Sequence, residues 1–387
     1  MDLIGQGLGG LQGVFSKLLP FLFVLTVVVF IHELGHFLVG RWCGVKVKAF
    51  SIGFGKEIFG FYDRHGTRWR LAWIPLGGYV KFADDENGAS VPSRDALDRM
   101  TAEEREGAFH TKPLWAKAAI VAAGPIANFL LAIAIFAASF AIFGMPVTAP
   151  RVDDVVADGA AARAGFKAGD IILAIDGEAI DSFGDMQRIV SASADRQLSV
   201  DVNRDGKLIN IKVVPDRKEI SDRFGNKMRQ GVIGIRRNTS SAKDWEVRRF
   251  GPIEALGMGV KQTVFIITRT LGYLSDVVMG REAADQLGGP IRIAEVSGQV
   301  ASDGFLPLLQ LTAVLSVSIG LINLFPVPLL DGGHLLFYAI EAVRRRPLSE
   351  RSQEIGFRIG LALVLALMIF ATWNDLGIVK RWIGGSG

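Results

Sequence analysis

The chain has 387 residues, half of them hydrophobic and only 21% charged, with a net charge of +4. That balance excludes an ordinary soluble enzyme, and with no basic run interleaved with aromatics it excludes a nucleic-acid partner. The single cysteine, Cys43, excludes an intramolecular disulfide.

A membrane-spanning helix needs about 20 mostly apolar residues. The first such run covers 18–40, with His32, Glu33 and His36 as its only ionisable residues. No small-residue cleavage site follows the apolar part, so the run is expected to be retained rather than removed as a signal peptide. Its centre, "IHELGH", is an H-E-x-x-H sequence. Residues four apart share a helix face, so His32 and His36 can reach one metal ion, and Glu33 can take a proton from a water beside it. An acid at the centre of a span costs about 2.5 kcal/mol or more, so three ionisable groups together imply a use. A hydrogen-bonded polar cluster and a proton relay are the alternative uses. Cys43 offers a further ligand or a reactive thiol, although a lone cysteine at the end of a span reads more simply as an interfacial residue.

Residues 41–114 form the next segment. "VKVKAFSIGFG" and "RWRLAWIPLGGYVKF" alternate apolar and polar residues around glycines, as the strands of a hairpin do. Lys and Arg after the first span, and Arg344, Arg345 and Arg346 after the third, place these two loops in the cytoplasm. Four spans then put the long insert at 151–303 and both termini outside.

The second run covers 118–150 without a charge; as a domain it is bounded at 115–148. The insert follows, and "VVADGAAARAGFKAGDIILAIDGEAI" resembles a bacterial PDZ domain. A small-residue turn leads to a short helix, Gly169-Asp170, the strand "IILAI" and the turn Asp176-Gly177. "FGDMQRIVSA" reads as a helix, and "LSVDVNRDGKLINIKVV" as a hairpin turning at Asp205-Gly206. PDZ domains add an extended peptide to a sheet edge, so peptide or regulator contact is expected of residues 149–240; a spacer that only blocks access is the alternative. Within 241–303, Val260, Val264, Ile267, Leu271, Leu274 and Val278 mark one face of an amphipathic helix. It is expected to lie on the membrane surface or to pack on the PDZ-like domain.

The third run, 304–330 within a segment 304–343, ends in "INLFPVPLLDGGHLLF". Pro326 and Pro328 break a regular helix, and Gly332-Gly333 lets the backbone turn. Such a broken segment can present Asp331 to a metal at depth, provided the freed backbone groups are satisfied. His334 is the rival third ligand; a carboxylate beside two histidines is the more usual zinc set. The fourth run, 359–374 within 344–387, is extended by Gly356 and Phe357, with Arg358 able to snorkel.

Taken together, H-E-x-x-H in the first span, "GPIANF" in the second, "NLFPVPLLDGG" in the third, the loop "FSIGFG" and a PDZ-like insert resemble the site-2 protease family of intramembrane zinc metalloproteases. The likeness covers most of the chain and is greatest to the bacterial regulator-of-sigma-E type. It implies a polytopic α-helical membrane protein of about four transmembrane helices, with a membrane-associated β-hairpin region and one inserted PDZ-like α+β domain. It implies zinc held by His32, His36 and Asp331, Glu33 as catalytic base, and His334 as a supporting or packing residue. Asn323, Pro326 and Pro328 would hold an unwound substrate backbone, with Asn323 bonding only a neighbouring helix as the alternative. Gly124, Pro125 and Asn128 read as helix-packing residues. The hairpin would dip into the membrane and offer an edge to substrate; a plain cytoplasmic hairpin is the alternative.

The implied activity is regulated intramembrane proteolysis at a bacterial inner membrane, on a single-span anti-sigma factor or on signal-peptide remnants. The best-known enterobacterial member carries two PDZ domains, whereas this insert has the pattern for one. Two other readings are a metal or proton transporter using the same residues, and a catalytically silent scaffold acting through its PDZ-like domain.

Overall fold

The computed structural model describes residues 2–84, 100–101, 105–221, 227–237, 246–281, 284 and 288–383. Among them, four helices are long and apolar enough to cross a membrane, over Gly13–Trp42, Leu114–Ile142, Phe305–Asn323 and Arg351–Leu376. With the accompanying strands they fit a polytopic membrane protein. The chain divides into two compact units, residues 1–138, 256–270 and 287–387 forming the first, and 139–255 and 271–286 the second.

The first unit begins with α1 (Asp2–Trp42). Strands β1 (Val47–Tyr62) and β2 (Arg68–Phe82) follow as a long hairpin. The hairpin folds back on itself. Ala49 to Ile52 face Lys81 to Gly78 in descending order and Arg68 to Leu71 in ascending order, while Phe59 to Tyr62 face Leu71 to Arg68. A period-2 pattern predicts strands but not this doubling, which the left-handed backbone at Gly53 and Gly55 permits. Phe50, buried at its base, packs on Phe37 of α1 and stacks on Trp69.

Helix α2 (Leu114–Ile142) ends earlier than the apolar run suggests. Gly144 turns into the left-handed region, Pro146 cannot continue a helix, and β3 (Met145–Val147) begins there instead. In the second unit β3 pairs with β12 (Glu246–Arg248). Between them lie β4 (Asp154–Val155), α3 (Ala160–Ala164), β5 (Ile171–Ile175), β6 (Glu178–Ala179) and α4 (Phe183–Ser191). Then come β7 (Leu198–Arg204), β8 (Lys207–Val213), β9 (Asp216–Ser221), β10 (Lys227–Val232) and β11 (Ile235–Arg236). The central sheet has the order β6-β5-β7-β8. Val152, Phe166, Ile172, Ile175, Met186 and Val200 are among its buried core.

Asp170, fully buried in this unit, takes two 2.7 Å bonds from Arg204 and one from the Lys167 N–H. Burial pushes its carboxyl up, but these donors outweigh burial and hold it below the usual range. The sequence boundary at 240/241 lies outside the described residues.

Helix α5 (Pro252–Val278) forms where an amphipathic helix is predicted, but the face that packs in the first unit is a different one. Val260, Val264, Leu271 and Val278 are exposed, whereas Gly259 and Thr263 are buried. A Cβ on Gly259 would lie 2.7 Å from the Ile133 carbonyl of α2, so this contact needs a glycine. Small residues at spacing four allow that approach; an apolar stripe does not reveal it.

Helix α6 (Pro290–Ser302) runs beside α1, joined by a 2.8 Å ion pair from Lys17 to Glu295. Helix α7 (Phe305–Asn323) packs on α1 through Val24, Val28 and Leu308. Helix α8 (Asp331–Arg344) follows a seven-residue break, and α9 (Glu350–Ile383) closes the unit. The apolar part of α9 exposes Leu361, Leu363, Leu365, Leu367 and Ile369, the surface of a helix solvated by lipid.

Near the end of α9, the fully buried Asp375 accepts from the N–H groups of Gly289 and Arg292 at 3.2 and 3.0 Å, capping α6 from a distant element. Asp375→Ala orphans these donors and is expected to destabilise the unit by about 1–3 kcal/mol. Thermal unfolding in detergent reads this; an unchanged midpoint would refute the cap.

Candidate active site

Helix α1 sets His32 and His36 one turn apart, and their rings meet edge to face with centroids 4.8 Å apart. The break between α7 and α8 brings in Asp331. His32 Nε2 and His36 Nε2 are 3.2 Å apart, and Asp331 Oδ2 lies 3.2 Å from the first and 3.6 Å from the second. Asp331 Oδ2 is buried and makes no well-angled hydrogen bond among the described residues. Among the described residues these three form a cluster suited to a metal ion.

The fit to the zinc implied by the resemblance can be tested on distances. Two donors about 2.0–2.1 Å from a tetrahedral zinc stand roughly 3.3–3.4 Å apart. The observed triangle has that size. Its chemistry fits as well: His36 Nδ1 lies 2.8 Å from the Ile120 carbonyl, which only accepts, so Nδ1 carries the proton and Nε2 keeps its lone pair.

Space for the cluster comes from glycine. A Cβ on Gly124 of α2 would collide with His36 Nε2 and lie 2.9 Å from His32 Cε1. Gly35, between the histidines, lets the Ala123 backbone of α2 approach α1. The sequence suggests helix packing for Gly124; its closest neighbours are instead the two imidazoles. Asn128, assigned the same way, is fully buried with Nδ2 3.2 Å from His32 Nδ1. Its backbone carbonyl also accepts from Ser316 Oγ of α7 at 2.8 Å, so it serves packing too.

Glu33 stands beside the cluster without joining it. Its carboxylate faces the Val80 N–H of β2, and its Cγ would lie 3.2 Å from a Cβ on Gly78. The β2 backbone therefore forms one wall of the site.

The break itself is ordered by its own backbone. N–H groups of Leu324, Phe325, Val327 and Leu330 donate to the carbonyls of Leu321, Ile322, Phe325 and Val327. Leu329 sits at a φ of 111°, a strained conformation for leucine that costs about 1–3 kcal/mol. Gly332 and Gly333 are not the turn the sequence suggests. Both are helical and buried in α8, and added Cβ atoms would strike the carbonyls of Leu324, Phe325 and Val327. Glycine is needed there for close approach.

The remaining candidates lie apart from the triangle. His334 packs against Phe357 with ring centroids 5.3 Å apart. Cys43 belongs to the hydrophobic cluster around Phe37 and Phe50. Asn323 ends α7 half-buried, Pro326 is exposed, and Pro328 packs its backbone on Gly360 of α9.

Comparison with known proteins gives this arrangement its context. The model of peptidase family M50 matches residues 20–367. A protein of Rhizobium meliloti named as a zinc metalloprotease is 53% identical over 94% of this chain and 96% of its own length. One of Brucella suis, similarly named, is 49% identical over 93% of this chain and 95% of its own. The metalloprotease MmpA of Caulobacter vibrioides is 42% identical over 96% of this chain and 99% of its own. The family match runs from the helix of the two histidines past the one that Asp331 begins, and on that ground the chain belongs to peptidase family M50 and is a zinc metalloprotease.

Proposed function

We propose that this protein hydrolyses peptide bonds within the membrane-spanning segments of other membrane proteins, with zinc held by His32, His36 and Asp331. The observation that carries the reading is the triangle of two Nε2 atoms and one carboxylate oxygen, with edges of 3.2, 3.2 and 3.6 Å, its two histidines on a helix apolar enough to span a bilayer and its aspartate at the start of α8. Zinc, when bound, supplies a Lewis acid that polarises the scissile carbonyl and acidifies water.

Glu33 is the general base. It lies next to the triangle but outside it, so its carboxylate is free to take a proton from the attacking water and return it to the leaving amide nitrogen. The β2 backbone around Gly78 and Val80 offers an edge to an unwound substrate strand. Asn323, half-buried at the end of α7, is assigned to the substrate backbone. Pro326 and Pro328 shape the adjoining wall.

The substrate class is a single-span anti-sigma factor, already trimmed outside the membrane, with signal-peptide remnants as a second class. The sheet unit of residues 149–240 acts as one extracytoplasmic PDZ-like domain that excludes substrates with large intact outer domains, and the enzyme resides in the bacterial inner membrane. Purified protein is expected to cleave a model single-span substrate, to lose activity on chelation and to regain it with zinc. His36→Ala and Asp331→Ala are expected to retain little zinc. Undiminished cleavage after complete removal of zinc would sink the proposal.

A further inference from the structure

We propose that Asn128 is a positioning residue that holds His32 in the tautomer required of a metal ligand, by turning its carboxamide oxygen to His32 Nδ1. This rests on the donor set proposed above. A neutral histidine that binds a metal through Nε2 must carry its proton on Nδ1. For His36 the acceptor of that proton is the Ile120 carbonyl, at 2.8 Å. For His32 the group facing Nδ1 is the side chain of Asn128, at 3.2 Å. The asparagine is fully buried, and among the described residues its Oδ1 has no hydrogen-bond partner.

The two ends of the carboxamide have opposite roles. With Nδ2 toward the ring, the amide donates and His32 Nδ1 accepts, which leaves the ring proton on Nε2, inside the triangle. With Oδ1 toward the ring, Nδ1–H donates and Nε2 is free to bind. A half-turn of the carboxamide exchanges the two arrangements, since its ends are nearly equal in size. The unengaged Oδ1 has no bond to break in making that turn. The backbone stays where it is, held by Ser316 Oγ on the Asn128 carbonyl and by Gly320, whose absent Cβ would lie 3.1 Å from Asn128 Cβ. An asparagine thus serves either tautomer of the ring, whereas the fixed carbonyl of Ile120 serves one only.

Zinc affinity of the full chain in detergent, measured by competition with a chelator, tests this. Asn128→Ala is expected to bind about 10–100-fold more weakly than wild type, the usual effect of losing a group that orients a metal-bound histidine. Asn128→Asp, which restores an acceptor but no donor, is expected to bind at least about tenfold more tightly than Asn128→Ala. Equal affinity of Asn128→Ala and wild type, or of Asn128→Ala and Asn128→Asp, would overturn the proposal.

The unmodified protein gives a second reading if Asn128→Ala does not fold. Adding zinc should move the NMR resonances of the Asn128 side-chain amide protons as they leave the imidazole, and resonances that stay put on zinc binding overturn the proposal. Failure of the donor set is distinct: wild type would bind no zinc, or His32→Ala would bind it as tightly.

Discussion

Glu33→Gln is expected to lower the rate of peptide-bond hydrolysis by about 10²–10⁴-fold, the usual contribution of a positioned general base, with zinc content unchanged. Glutamine keeps the shape of the side chain and its place against the Val80 N–H, but a carboxamide cannot take a proton near neutral pH. Glu33 stands outside the triangle of His32, His36 and Asp331, so its replacement removes no donor. The split is the diagnostic. His36→Ala lowers activity through lost zinc, whereas Glu33→Gln lowers it with zinc bound. Turnover of a single-span substrate, with the metal measured on the same sample, separates the two. A variant that cleaves within a few-fold of wild type would remove Glu33 from the chemistry.

Gly124→Ala is expected to weaken zinc binding on the order of tenfold or more, and to reduce activity in proportion. The direction opposes local helix energetics, since replacing an interior glycine by alanine favours a helix by about 0.8–1.0 kcal/mol. The new methyl group, however, would enter the space beside His36 Nε2 and His32 Cε1. Both rings are held from behind, by Ile120 and Asn128, so neither can swing away without losing a buried hydrogen bond. A metal site tolerates donor displacements of only about 0.2 Å. Thermal unfolding of the zinc-free variant is expected to be unimpaired, which distinguishes Gly124→Ala from Gly35→Ala, where the added Cβ meets the Ala123 backbone itself. Wild-type zinc affinity in Gly124→Ala would show that the rings have room to spare.

The parts of the site that the sequence discloses are those with a local spacing rule. Two histidines four apart must share a helix face, and an aspartate after two prolines stands where a span breaks. The structure brings these residues together. What surrounds them has no such rule. Asn128 meets His32 across 96 positions of sequence, and Ile120 contributes a backbone carbonyl, which every residue has. Gly124 and Gly259 are visible as small residues, but what they make room for depends on the crossing of two helices. The apolar runs at 18–40 and 359–374 fall inside observed helices, because a lipid-facing surface is written in composition. Asp375 stands just past the last run, where nothing local shows that α6 delivers its N-terminus to it. The doubling of the hairpin is likewise hidden, because alternation fixes which face a residue takes and not which strand lies beside it.

In the proposed donor set, the two nitrogens and the carboxylate belong to opposite ends of the chain. During synthesis at about 5–20 residues per second, Asp331 follows His36 by on the order of 15–60 s. A nascent chain threaded as far as its first span holds two imidazoles and the Glu33 carboxylate, but no third donor of that set and no α7 to pack against. On that donor set it is expected to be born inactive. Proteolytic capacity is then expected only once the later spans have entered the bilayer and docked, which would spare neighbouring nascent membrane proteins a half-built protease.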